Sequence, residues 1–151
     1  MAKRAGSLKA MICGTAVLAC TAPEALEPAP NAALVQTCAP WDGPAIALFL
    51  TDQPAVATFP ARPYSAITIY RGLPEVLGHH FDVGPEIQDL GRGEICPATG
   101  ECRPAQVASV TFGQLDADST VQVTYRLEAP PERAMGGTGR ARLHPATGFC
   151  G

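Results

Sequence analysis

The chain has 151 residues, of which 46% are hydrophobic and 17% charged, and its formal net charge is −3. That length supports one domain with a modest core. The acidic balance, with no basic stripe interleaved with aromatics, excludes nucleic-acid binding, which needs clustered positive charge to neutralise phosphate, and argues against direct adhesion to anionic lipid.

The first element is an export signal. Lys3, Arg4 and Lys9 precede an apolar run from Ala10 to Ala19, broken only by Gly14 and Thr15. The run is too short to span a bilayer as a mature helix, and it ends in Val17-Leu18-Ala19-Cys20. This segment resembles a bacterial lipoprotein signal. The resemblance covers residues 1 to about 21 and implies removal of residues 1–19 and lipidation of Cys20, which becomes the new N-terminus. It further implies a protein of the bacterial cell envelope, attached to the membrane by its lipid. Thr21, in place of the Asp that holds such proteins at the inner membrane, points to the outer membrane and the periplasmic side. Plain secretion is the alternative.

Both lysines leave with the signal, so the remaining chain sets eight arginines against fourteen carboxylates, a formal charge of −6. Residues 20–37 are rich in Ala and Pro, and Pro23, Pro28 and Pro30 oppose a continuous helix. They read as a tether of roughly 20 to 50 Å. The domain is expected over residues 38–151.

Within it, Ala45–Thr51 is an apolar run of strand length between Pro44 and Pro54. Tyr64–Tyr70 is β-branched and aromatic. A helical turn is expected at Pro74–Leu77, and His79–Val83 reads as a short strand between Gly78 and Gly84. Ile87–Leu90 and Gly93–Cys96 are too short to assign firmly. Val107–Leu115 and Thr120–Ala129 flank Asp116-Ala117-Asp118-Ser119 and predict a β-hairpin. In the second run Val121, Val123, Tyr125 and Leu127 share a dry face, opposite Gln122, Thr124, Arg126 and Glu128. Gly137–His144 reads as the next strand, and Gly136-Gly137-Thr138-Gly139 as a flexible hairpin loop rather than a phosphate cradle, which would need a helix N-terminus. The sum is an all-β domain, an antiparallel β-sandwich or small barrel of about six to eight strands.

Cys13 leaves with the signal and Cys20 takes the lipid, so Cys38, Cys96, Cys102 and Cys150 remain. In an exported chain an even number reads as disulfides. Three pairings are possible; Cys96–Cys102 with Cys38–Cys150 is favoured, the first closing the Pro97-Ala98-Thr99-Gly100 turn and the second tying the domain's two ends together. Zinc would want two close cysteine pairs or a paired histidine motif, and no metal or other cofactor is expected.

Catalytic signals are weak. His79 and His80 are adjacent and should face opposite sides of a strand, whereas His80 and Asp82 can share a face. With His144 they would form the centre of a small hydrolase or metal-dependent enzyme, the rival reading. Asp116 and Asp118 suggest calcium, but Val121 and Leu127 stand where an EF-hand loop needs Gly and Glu. No Gly-x-Ser-x-Gly is present. Trp41, Phe59, Tyr64 and Tyr70 lie in or beside Pro-rich segments and are the candidate binding residues, with Asp52–Pro63 as a candidate recognition loop. The expected function is a non-catalytic envelope lipoprotein, a binding or structural module whose partner is an envelope protein. A third reading, a carrier of a small apolar ligand, needs an open cavity inside the sheet.

Overall fold

A computed structural model describes residues 26–29, 31–54, 60–130, 133–145 and 150. The signal, Cys20 and Phe59 lie outside these residues. The fold is all-β, as the alternating runs require. Nine strands form one sheet: β1 (Asn31–Cys38), β2 (Pro44–Thr51), β3 (Tyr64–Ile69), β4 (His80–Val83), β5 (Gly91–Cys96), β6 (Arg103–Pro104), β7 (Val107–Leu115), β8 (Thr120–Ala129) and β9 (Arg133–His144). A single helical turn, α1 (Leu73–Val76), joins β3 to β4. Among the described residues no helix is long and apolar enough to cross a membrane.

The strand order is β4-β7-β8-β9-β1-β2-β3-β5-β6, and the sheet curls into a half-barrel. All neighbours are antiparallel except β1 and β9, so the sheet is mixed rather than purely antiparallel. The parallel pair joins two antiparallel sub-sheets along strands from opposite ends of the fold. The Cys38–Cys150 bond (Cα–Cα 5.4 Å) fastens that junction from the end of β1, and Cys96–Cys102 closes the β5–β6 connection. Both favoured pairings are therefore present. On the chain-entropy model the longer loop contributes about 5 kcal/mol and the shorter about 2.

Two expectations are corrected. Residues 31–37, assigned to the tether, are strand β1, and Leu34 at its centre is fully buried. The prolines upstream masked a short apolar stretch, Ala33-Leu34-Val35, that pairs with β2 on one side and β9 on the other. Glu27 extends this pairing through a parallel bridge to Met135. The domain thus includes chain well before residue 38. The glycine run is likewise not a loop but lies inside β9. A Cβ on Gly136 would meet Leu26 at 2.7 Å, and one on Gly137 would meet Pro28 at 3.1 Å, so these glycines admit the crossing N-terminal segment.

The curl closes because β5 presents small residues inward. Gly93 faces Ala108 and Ala105 so closely that a Cβ on it would stand 2.5 and 3.0 Å from theirs. The space inside is filled by one core that includes Leu34, Leu48, Ile67, Phe112, Val123 and Leu127. A smaller cluster of Val35, Ala47, Phe49 and Ala66, with Tyr64 against it, lies on the outer side of β1–β3. The side chains of the larger core pack the inside of the curl.

Candidate functional site

The β1–β2 hairpin builds the first wall of the site. Its turn runs from Ala39 to Gly43, with Ala39 N–H donating to Gly43 O at 2.7 Å and Asp42 N–H to Ala39 O at 3.1 Å. Asp42 takes a left-handed conformation (φ 64°), which an Asp tolerates better than most residues. The turn lifts Trp41 out of the fold, leaving it 55% exposed. A Cβ at Gly43 would lie 3.2 Å from the indole Nε1, so glycine there leaves room for the ring. The indole stands edge-on to Tyr70 (centroids 4.9 Å apart, interplanar angle 75°). Tyr70 is buried and packs with Ala39 and Ala45, so the exposed ring rests on a fixed one.

Opposite this wall lies the β4–β5 connection. Gly84, Pro85, Gln88 and Asp89 face Pro40, Trp41 and Tyr70, while β5 and Pro104 of β6 complete a groove of about 610 Å³. The Arg92 guanidinium borders it and pairs with Glu94 at 3.7 Å. A second groove, of about 650 Å³, shares Gly84 and Pro85 and runs on past Ile87, Val107 and Asp82. Ile87 and Val107 are 48% and 42% exposed. Three of the four exposed large hydrophobic residues among those described thus lie along one band, where the β4 edge and the β5–β6 edge approach each other. Asp82, Glu86 and Asp89 edge the band with negative charge.

Of the four aromatic candidates, Trp41 and Tyr70 come together, Phe59 lies outside the described residues, and Tyr64 sits apart. Tyr64 packs against Phe49 on the outer side of the sheet (5.3 Å, 79°) and does not line the band. Chain reading missed Ile87, Val107, Arg92 and the three prolines Pro40, Pro85 and Pro104. They come from five separate segments, and only the sheet order brings them together.

The histidines do not converge. His80 Nε2 pairs with Asp82 Oδ2 at 3.2 Å, both well exposed, and His80 Nδ1 meets Thr111 Oγ1 at 2.8 Å. His79 Nδ1 turns instead to Leu77 O at 2.9 Å. His144 ends β9 beside Val35, three strands away in the sheet, with a buried Nε2 that lacks a hydrogen-bond partner among the described residues. Asp116 and Asp118 are held by a cation of the chain itself: Arg140 reaches them at 2.8 and 3.3 Å. Thr120 Oγ1 donates to Asp118 at 2.7 Å, and this bond, with the Arg140 charge, holds the Asp118 carboxyl below its ordinary value. Among the described residues the only group of three candidate ligands is Glu94, Cys96 and Cys102, two of which share a disulfide.

No protein-family model matches this chain, and no curated protein or solved structure matches it significantly.

Proposed function

We propose that this protein is a non-catalytic binding module of the bacterial envelope, anchored by a lipid on Cys20, whose exposed band between the β4 and β5–β6 edges takes an extended segment of a protein partner. The observation that carries this reading is Trp41: a large, half-exposed ring standing edge-on to the buried Tyr70, at the mouth of an apolar groove flanked by prolines. Trp and Tyr are common binding anchors, and a pre-positioned ring loses little entropy on contact. Aromatic and proline-lined grooves suit extended apolar segments, and the Asp82, Glu86 and Asp89 border favours one that also carries Arg or Lys.

The test is NMR titration of the labelled protein with ten-residue peptides carrying proline, apolar residues and arginine. Shifts should gather at the Trp41 indole N–H and at Ile87 and Val107. Trp41→Ala should weaken binding at least about tenfold, as removal of an anchor does. Shifts that avoid the band, or none from any peptide, would refute the groove. The anchor is tested separately by intact mass from a membrane fraction, where loss of residues 1–19 with an acyl gain is expected; an unlipidated mass refutes it.

A further inference from the structure

The β5–β6 turn carries a chemically unequal pair of groups. Cys96 ends β5 and is fully buried, whereas Cys102 is partly exposed. Arg62, arriving from the segment before β3, spans the turn: Nη1 donates to Gly100 O, and Nη2 stands 3.2 Å from Cys102 Sγ. On the other side a Glu94 carboxylate oxygen lies within 4.8 Å of both sulfurs. One sulfur is reachable and sits under a fixed cation; its partner is hidden, with a proton acceptor in reach.

We propose that Cys96–Cys102 is a redox-active disulfide that exchanges with dithiols through Cys102. A thiolate of the incoming dithiol bonds to Cys102 Sγ while the Cys96–Cys102 bond breaks, and Cys96 leaves and gains a proton. The dithiol's second thiol then loses its proton and attacks its own sulfur in the mixed disulfide. It departs as a cyclic disulfide and releases Cys102 as a thiolate beside Arg62. Two electrons pass to this chain, and one proton lost balances one gained. Glu94 is placed to relay that proton. The cation matters because thiolates are the reacting and leaving species, and a neighbouring Arg stabilises them. Cys38 is itself exposed, so the Arg62 charge at Cys102, rather than access, is what sets this bond apart from Cys38–Cys150. Exchange leaves Cys38–Cys150 to hold the fold, and the inference stands independently of the groove.

The test treats the oxidised protein with dithiothreitol at neutral pH, quenches with iodoacetamide at intervals and maps each cysteine by peptide mass. Cys96–Cys102 should open at least about tenfold faster than Cys38–Cys150. Arg62→Ala should slow that opening about threefold, because rates depend shallowly on thiol acidity. With Ellman's reagent, the lone Cys102 thiol of Cys96→Ser should react faster than the lone Cys96 thiol of Cys102→Ser. Equal opening of the two bonds, indifference to Arg62, or a faster Cys96 thiol would each overturn the proposal. The wild-type kinetics decide the matter even where a serine variant folds poorly.

Discussion

A methyl group on Gly93 would press into Ala108 of β7, across the curl, and into Ala105, which follows β6 and hydrogen-bonds to Gly93; both are buried. Gly93→Val should therefore destabilise the fold by about 1–3 kcal/mol or more through overpacking, read as a lower urea midpoint. An unchanged midpoint would mean that the two sub-sheets do not close as described. Asp118 offers a second local test. Its carboxyl is held low first by the Thr120 hydroxyl and then by Arg140. A carboxylate depressed on folding adds stability above its unfolded-state pKa, and that contribution fades as pH falls through the folded value. Thr120→Val should raise the Asp118 titration midpoint in a carbon-detected NMR titration. A midpoint that stays put would assign the effect to the guanidinium.

At the scale of elements, the strands that announced themselves were those with one wet and one dry face. β7 and β8 run from Val107 to Leu115 and from Thr120 to Ala129, the limits that alternation alone indicated. Their turn is closed as the Asp and Ser pattern suggested, with Ser119 left-handed (φ 61°). β1 was hidden for a physical reason. It is buried on both edges and packs on both faces, so it has no alternation to show, and its neighbouring prolines suggested a tether. β9 was read too short, because glycines that signal turns in isolation are here space-makers for Leu26 and Pro28. The candidate site was legible only as single residues. Trp41 and Tyr70 could be picked as aromatics beside prolines, but nothing in the chain order says that Ile87 and Val107 share their surface.

Over the whole molecule, the mixed sheet rests on a seam between first and last strands, and Cys38–Cys150 clamps it. Cys150→Ser should lower stability by about 5 kcal/mol, enough to remove a large share of a small domain's margin, and calorimetry should show a marked fall in Tm. A fall no larger than that of Cys102→Ser would show that the junction holds without its clamp. The segment running over β9 has a further effect on the proposed anchor. With Leu26 already seated on the fold, only residues 21–25 separate it from Cys20. Five residues at full stretch reach roughly 18 Å. A lipidated form would then be moored close against the bilayer, with little freedom to roam or tumble. It would meet partners that pass within a narrow layer above the headgroups, and distant ones would have to come to it.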